Sequence, residues 1–431
     1  MDAAVSASAN RVTSALEESL RAIVTPKFVL RASAADAVAG VLPQLVAEPG
    51  TEQELASVLK LADEAGLVVI PRGGGTKLAW GNAPARADLI LSTARLNRIL
   101  EHAWADLTVT VEAGCTIGKL QEKLAKHGQR LALDALWPKQ ATVGGVLSTN
   151  DSGVLRVRFG SLRDLIIGAT LALPDGTLAS SGGKVVKNVA GYDLSKLATG
   201  ALGTLGLITR AVFRVHPLPK ETRTLTCMSE DVGEAQQLVL AVQDSKLAHS
   251  ASQIRCEGTA QPKVDVLFEA TQAGLAAQSA QLKSLAGNKD FADSPSGTWN
   301  ARQDLYSSAK TGEARTAIAK FSILPAQIAN TIDTLGDLCA DRIQWNVVVQ
   351  ATGIGSVRME GEPLAMQSAL LSFRTNVESK KGSLVVHQLP ATASRMEAWG
   401  YGGDALPLMR AVKHQLDPKN TLNAGRFLGG I

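Results

Sequence analysis

Apolar positions in the first half of the chain alternate between helical and strand spacing. Residues 51–65 predict a helix, because apolar residues recur there every three or four positions. Thr51 and Glu54 have the spacing of a capping box, and Gly66 follows as a helix end. The other elements predicted in this half are a helix at 117–127 and strands at 67–70, 107–112 and 207–215.

The run His-Pro-Leu-Pro at 216–219 interrupts this pattern and predicts a domain boundary. Beyond it the pattern predicts strands at 224–228, 252–256, 264–270, 321–324, 345–350 and 384–389, and helices at 233–247, 272–285, 326–339 and 363–377. Residues 286–315 are polar and predict a long loop. Two similar α+β halves with helices on one face of an antiparallel sheet are the expected architecture. The predicted division is a helical extension at 1–45, domains at 46–219 and 220–404, and a tail at 405–431.

Composition narrows the class of protein. The chain has 431 residues, of which 45% are apolar and 39 are glycine. Its formal net charge is +4 without a dense run of lysine and arginine, which argues against a nucleic-acid-binding protein. The cysteines Cys115, Cys227, Cys256 and Cys339 form no C-x-x-C pair, so neither a zinc site nor an iron–sulfur site is expected. The first residues contain no continuous apolar run, so we expect a cytoplasmic protein without a signal peptide.

A glycine-rich segment at 72–77 follows a predicted strand directly. Its three consecutive glycines expose backbone N–H groups, and such a concave run of amides binds anions. Arg72 and Lys77 would add positive charge, so a diphosphate fits this segment. A plain glycine-rich turn is the alternative interpretation, and the Walker A pattern is absent.

Two further segments are rich in small residues. The segment 142–153 has paired glycines followed by small hydroxyl and amide residues, which suggests backbone packed against a flat ring, although a Ser/Thr-rich loop is the alternative. In the segment 200–209 the glycines recur every third position and a strand follows them, so the Rossmann interpretation fails. The pair of glycines at 353 and 355 predicts a hairpin bend.

The order of these motifs resembles one family of flavoproteins. The segments PRGGGTK, VEAGCTIGKL, PKQATVGGVLSTNDSG, RVRFGSLRD and GYDLSKLATGALGTLGLITR follow one another between residues 46 and 219. In that order they resemble the vanillyl-alcohol-oxidase or PCMH-type FAD-binding fold. KNVAGYDLSKL and the run DPKNTLNAGRFLGGI also resemble the E-subunit family of bacterial glycolate oxidases. Where that family has Asn-Pro-Gly-Arg, this chain has Asn423-Ala424-Gly425-Arg426.

The resemblance implies an α+β fold in which FAD lies between two subdomains under a ferredoxin-like cap, and in which the tail 405–431 returns to the FAD-binding domain. It places the pyrophosphate at Pro71, Arg72, Gly73, Gly74, Gly75, Thr76 and Lys77. It places the isoalloxazine and ribityl chain along Pro138, Thr142, Gly144, Gly145, Ser148, Asn150 and Gly153. It also places Arg158 and Gly160 near the flavin or its phosphates, and Gly203, Gly206 and Ile208 near the adenosine.

Two histidine motifs of related enzymes are missing. No histidine stands between Val68 and Trp80, where many covalent flavoproteins carry their attachment residue, so we expect non-covalent FAD. The H-G-D-G-N-x-H motif, which binds a metal in related 2-hydroxy-acid dehydrogenases, is absent, and no metal is expected. His387, on a predicted cap strand, is the one candidate for a catalytic residue.

The resemblance implies an FAD-binding subunit of a glycolate oxidase complex that acts on a small 2-hydroxy acid. The subunit would carry electrons between a catalytic flavin subunit and an iron–sulfur subunit, without activity alone. Peripheral attachment to the inner membrane through the complex stays open. Two alternatives also stay open: a self-sufficient FAD-dependent D-lactate or 2-hydroxy-acid dehydrogenase, and an assembly subunit with structural FAD.

Overall fold

The computed structural model describes residues 12–184, 191–287, 289–307, 315–390 and 396–431. The start of the predicted extension, parts of the predicted loop 286–315 and the first residues of KNVAGYDLSKL lie outside these ranges. The chain forms two compact units. The first unit comprises Met1–Ser152, Ser161–Leu218 and Gly402–Ile431, and the second comprises Gly153–Gly160 and Pro219–Tyr401.

Helices and strands alternate along both units. The α-helices are α1 (Ser14–Ile23), α2 (Glu52–Glu64), α3 (Ile117–Ala125), α4 (Val143–Thr149), α5 (Arg156–Phe159), α6 (Leu162–Leu165), α7 (Leu194–Ala198), α8 (Val232–Asp244), α9 (Gln272–Leu285), α10 (Ala301–Ser307), α11 (Ile328–Cys339), α12 (Pro363–Ser379) and α13 (Leu406–Leu416). The strands are β1 (Val29–Arg31), β2 (Leu45–Ala47), β3 (Val69–Arg72), β4 (Leu89–Ser92), β5 (Ile99–Ala103), β6 (Thr108–Glu112), β7 (Gln129–Arg130), β8 (Ile166–Ala172), β9 (Leu178–Gly182), β10 (Leu207–Arg214), β11 (His216–Pro217), β12 (Glu221–Met228), β13 (His249–Glu257), β14 (Lys263–Ala270), β15 (Ala292–Asp293), β16 (Thr316–Ser322), β17 (Ile343–Gln350), β18 (Ile354–Gly361) and β19 (Ser383–Gln388). No helix in the described ranges is long and apolar enough to cross a membrane.

The first unit contains two main sheets. One has the order β1-β2-β4-β3, with β4 parallel to both of its neighbours, and the other is antiparallel with the order β5-β6-β10-β8-β9. Helix α2 packs on the first sheet through Leu55 and Leu59. The Thr51 hydroxyl caps this helix by accepting a hydrogen bond from the Glu54 N–H, as the capping-box spacing predicts. Within the described part of 1–45 only α1 is an α-helix, because β1 pairs with β2 instead.

The second unit is built on one antiparallel sheet of eight strands, in the order β15-β12-β14-β13-β17-β18-β16-β19. Helices α8, α9, α11 and α12 pack on the face that carries Ile254, Val347 and Val357. The alternate positions, among them Gln253 and Arg358, belong to the opposite face, because side chains alternate along a strand. The predicted architecture of helices on one face of an antiparallel sheet is therefore present.

The secondary structure of this unit differs from the prediction in three places. The predicted loop 286–315 contains β15 and α10, and the strand predicted at 321–324 begins at Thr316. Strand β18 was not predicted, although the bend before it was: Gly353 has φ +81° there. The Phe321 ring occupies the place of a side chain at Gly355, where a Cβ would lie 2.1 Å from the ring. This interstrand packing stabilises a strand that has no simple apolar alternation.

The tail 402–431 returns the chain to the first unit. The Val69 N–H donates to the Thr421 carbonyl over 2.7 Å, and the Asn423 N–H donates to the Val69 carbonyl over 3.0 Å. The buried ammonium group of Lys413 lies 2.6 Å from a carboxylate oxygen of Asp417 and donates to the Thr204 carbonyl. The tail is therefore bonded both to β3 and to the turn that precedes β10.

Candidate cofactor site

A cleft opens in the first unit where four segments meet. These segments are the end of β3 with the loop after it, α4, the turn before β10, and the tail. The lining residues are Pro71, Arg72, Gly73, Gly74, Gly75, Thr76, Lys77, Leu78, Thr93, Thr142, Gly144, Gly145, Ser148, Thr149, Leu202, Gly203, Leu207, Ile208, Asn423 and Arg426. The fold thus gathers all three small-residue segments of the sequence around one cleft.

The three glycines after β3 differ in their surroundings. A Cβ at Gly73 would lie 2.1 Å from the Thr142 hydroxyl, and one at Gly74 would lie 1.9 Å from the Gln140 carbonyl. These two glycines therefore allow the loop before α4 to pack against the first glycine-rich segment. Gly75 has φ +75° and open space where a side chain would stand. Of the three glycines, only Gly75 leaves room beside its backbone for a ligand.

Both basic residues of this segment are paired with carboxylates. Arg72 forms an ion pair with Asp36. Burial opposes ionisation of Asp36, but hydrogen bonds from the Ser33 N–H and from Arg72 hold the pKa of that carboxyl below its usual value. Lys77 is 7% exposed, with its ammonium nitrogen 3.1 Å from an Asp151 carboxylate oxygen. Arg72 and Lys77 both line the cleft, as predicted for a pyrophosphate site, but their charges are shared with Asp36 and Asp151.

Helix α4 is formed by the segment that suggested backbone packed against a flat ring. The Thr142 hydroxyl caps it by accepting from the Gly145 N–H over 3.4 Å. The Gly144 N–H donates to the Ala113 carbonyl over 2.8 Å, and a Cβ at Gly144 would lie 2.9 Å from the Ala113 side chain. At Gly145 a Cβ would have only the Thr142 hydroxyl within 4 Å, at 3.3 Å. Gly144 thus allows close packing within the protein, whereas Gly145 leaves space on the cleft side.

The turn before β10 packs against the carboxyl end of α4. The Leu202 N–H donates to the Ser148 carbonyl over 2.8 Å. Gly203 has φ +69°, a backbone conformation that favours glycine, and it lines the cleft with Ile208. Gly206 lies outside the lining, because the space beside it is filled by Leu173, 3.3 Å from where its Cβ would stand.

Six predicted cofactor residues do not line this cleft. Pro138 is exposed, and its carbonyl accepts from the Gly118 N–H over 2.7 Å. Asn150 ends α4 with φ +47°. The six residues outside the lining are Pro138, Asn150 and Gly206 in the first unit and Gly153, Arg158 and Gly160 in the second.

The tail was predicted to return to the FAD-binding domain, but none of its residues was predicted to line the cofactor site. Asn423 and Arg426 line the cleft, and their signal in the sequence is the Asn-Ala-Gly-Arg run that supported the family resemblance. Arg426 is 2% exposed, and burial lowers the pKa of its guanidinium to about 10. Leu78, Thr93, Thr149, Leu202 and Leu207 are further lining residues that were not predicted.

The candidate catalytic residue His387 lies in the second unit. It is buried on β19, with its Nδ1 atom 3.0 Å from the Tyr306 hydroxyl. Among the described residues, no three side chains of histidine, cysteine, aspartate or glutamate are placed to hold a metal ion. All four cysteines are buried thiols, and burial raises the pKa of Cys256 to about 12.

The donor set of the cleft suits a diphosphate-containing nucleotide. Gly75 and Gly145 leave space that a Cβ would fill, which lets a ligand approach the backbone closely. Ser148 and Thr149 add hydroxyl groups, while Leu207 and Ile208 add apolar surface for a ring. The residues present therefore fit FAD, and the group would supply a two-electron redox centre.

Comparison with known proteins agrees with this assignment. Residues 43–182 match the family described as FAD binding domain. The glycolate oxidase subunit GlcD of Bacillus subtilis is 25% identical over 425 residues, covering 90% of this chain and 89% of that protein. A D-lactate dehydrogenase of Archaeoglobus fulgidus is 32% identical over 199 residues, a match that spans only 44% of its length. The chain is an FAD-dependent oxidoreductase.

Solved structures support the fold. The crystal structure of p-cresol methylhydroxylase with substrate bound aligns over 98% of this chain and 97% of its own, with a TM-score of 0.74 at 15% identity. An alkyldihydroxyacetonephosphate synthase aligns over 95% of this chain and 85% of its own, also with a TM-score of 0.74. The predicted α+β FAD-binding fold is confirmed, and so is FAD as the cofactor.

Proposed function

We propose that the chain is the FAD-binding E-type subunit of a glycolate oxidase complex. In that complex it would carry electrons between a catalytic flavin subunit and an iron–sulfur subunit during oxidation of a small 2-hydroxy acid. The observation that carries the proposal is the glycine-lined cleft in a chain whose similarity to a glycolate oxidase subunit extends over 90% of its length.

The lining of the cleft supports non-covalent FAD. The side chains that attach flavins covalently are nucleophilic, chiefly histidine, cysteine and tyrosine. The cleft lining contains none of these. FAD would be retained by close approach to backbone at Gly75 and Gly145 and by hydroxyl groups such as that of Ser148.

The absence of the H-G-D-G-N-x-H motif from the sequence is what supports a subunit that is inactive alone. Oxidising a 2-hydroxy acid requires a group that takes the hydroxyl proton and a group that binds the carboxylate. A metal often assists the first step, and the described side chains form no metal-ligand cluster. His387, which is buried, is hydrogen-bonded to the half-buried Tyr306.

That same pair is what favours the second candidate, a self-sufficient 2-hydroxy-acid dehydrogenase. A buried histidine with a tyrosine partner has the chemistry of a general base. The similarity to relatives named D-lactate dehydrogenase and D-2-hydroxyglutarate dehydrogenase also supports this second candidate. The third candidate, an assembly subunit, differs from the proposal because its FAD would not change redox state during turnover.

Dye reduction by the purified, FAD-loaded chain separates the first two candidates. Glycolate, both lactate enantiomers and 2-hydroxyglutarate are tested with and without zinc or manganese. We expect turnover well below about one per second, the lower end of ordinary enzyme rates. Turnover above that value, abolished by His387→Gln but not by His414→Gln at an exposed position of α13, would establish the self-sufficient dehydrogenase instead.

The assembled complex tests the third candidate. Chains that co-purify with this protein from its host are identified, and the complex is mixed rapidly with glycolate. We expect the flavin of this subunit to be reduced and reoxidised within one turnover. A flavin that stays oxidised while the complex turns over would make it a structural cofactor.

A further inference from the structure

We infer that Asn423 and Arg426 of the tail, together called the tail clamp, are positioning residues for FAD binding. They are bonded to two of the segments that form the cleft and thereby fix the distance between them. This inference rests on FAD as the cofactor and not on the proposed role in a complex. Refuting the tail clamp would therefore not refute the proposed role, and refuting the proposed role would not refute the tail clamp.

Arg426 is bonded to the chain that follows the first glycine-rich segment. Its guanidinium donates hydrogen bonds to the carbonyls of Leu78, Trp80 and Asn82. In return the Asn82 N–H donates to the Arg426 carbonyl over 2.9 Å. One side chain thus holds three carbonyls of a loop that carries no regular secondary structure.

Asn423 is bonded to the turn on the other side of the cleft. Its side-chain amide donates to the Leu202 carbonyl, and its nitrogen would lie 3.5 Å from a Cβ at Gly203. Its side-chain oxygen accepts from Arg426 over 3.3 Å. The tail clamp therefore forms a continuous chain of hydrogen bonds from the Leu202 carbonyl to the Leu78 carbonyl, and both of those residues line the cleft.

The geometry of the guanidinium makes arginine hard to replace here. Arginine directs five N–H donors in a rigid plane, whereas lysine directs three from a single nitrogen. Burial lowers the pKa of Arg426 to about 10, so the side chain stays protonated and keeps its donors at neutral pH. Lysine at this position cannot reach the same set of carbonyls at once, so the loop would lose part of its fixed geometry.

The experiment compares Arg426→Lys and Asn423→Gly with the wild-type full-length chain. Glycine is chosen at 423 because it tolerates the φ of +47° there while removing the amide. Arg374→Lys is the matched control, because Arg374 is a buried arginine of the second unit that donates to the Ala398 carbonyl over 3.0 Å. The dissociation constant for FAD is measured by calorimetry on apoprotein, and the melting temperature of each apoprotein by circular dichroism.

We expect both clamp variants to raise the dissociation constant at least tenfold. The control variant Arg374→Lys should keep the wild-type dissociation constant for FAD, even if its melting temperature falls as far as that of the clamp variants. The double variant should bind FAD no more weakly than the weaker single variant, because both residues act through one chain of hydrogen bonds.

A dissociation constant within twofold of wild type in folded Arg426→Lys would overturn the inference. If Arg426→Lys does not fold, the test rests on Asn423→Gly alone, and a dissociation constant for FAD within twofold of wild type in that variant would overturn the inference. An equal rise of the constant in Arg374→Lys would also overturn it, because the effect would then follow from general loss of stability.

Discussion

Substitutions at Gly144 and Gly145 should separate folding from cofactor binding within one helical turn. A Cβ at Gly144 would lie 2.9 Å from the Ala113 side chain, whereas one at Gly145 would have only the Thr142 hydroxyl within 4 Å. We therefore expect Gly145→Leu to lose FAD while its apoprotein stays folded. Gly144→Ala should instead lower the stability of the apoprotein.

The magnitudes follow from helix propensity and packing. Replacing glycine in a helix interior favours the helix by up to about 1 kcal/mol, so apo Gly145→Leu should be as stable as wild type or slightly more stable. An added methyl group in a packed interior costs roughly 1–3 kcal/mol, which exceeds that gain for Gly144→Ala. If the new leucine overlaps FAD at the same cost of roughly 1–3 kcal/mol, the dissociation constant for FAD should rise about 5- to 150-fold.

The assay has two parts. The flavin-to-protein absorbance ratio after gel filtration measures retention of FAD, and thermal denaturation of the apoproteins measures stability. A net loss of 1 kcal/mol lowers the melting temperature of a domain of this size by roughly 2–4 °C. If Gly145→Leu retains one FAD per chain with wild-type affinity, Gly145 does not face the cofactor and the reasoning fails.

Two further predictions concern the flavin linkage and the buried ion pair. Acid precipitation should release all flavin into the supernatant, because no nucleophilic side chain of a covalent linkage lines the cleft; flavin in the pellet would contradict this. Asp151→Asn should lower the free energy of unfolding by roughly 3–5 kcal/mol, because it removes the carboxylate 3.1 Å from the buried Lys77 ammonium. Chemical denaturation measures that loss, and a value below about 1 kcal/mol would show that the pair contributes little.

Elements with local signals were predictable from the sequence. Helix α9 spans the predicted residues, because Thr271 caps it and its apolar positions repeat at helical spacing. Helix α4 was not predicted, because two glycines and several small polar residues give its sequence a low helix propensity. Its first turn is held from outside, by bonds such as that from the Gly144 N–H to the Ala113 carbonyl. Such tertiary contacts leave no local trace in a sequence.

The glycines of the site were predictable from the sequence, but the carboxylates that pair with its basic residues were not. Small residues in a fixed order mark backbone that something must approach closely, and Gly75 and Gly145 indeed face open space. The carboxylate partner of Arg72 was not predicted, because Asp36 stands 36 residues away and carries no sign of that contact in the sequence. Arg426 was missed for the same reason, since its carbonyl acceptors are more than 340 residues distant.

The long sequence separation between Arg426 and the loop that it binds also governs when the protein becomes able to load its cofactor. During synthesis the segment 71–78 leaves the ribosome early, and the whole second unit is made before Asn423 and Arg426 appear. Until then β3 lacks its hydrogen bonds to the tail, and the cleft lacks one of its sides. Nascent chains stalled before residue 417 should therefore emerge without flavin, and we expect FAD to be loaded only after the tail has been synthesised.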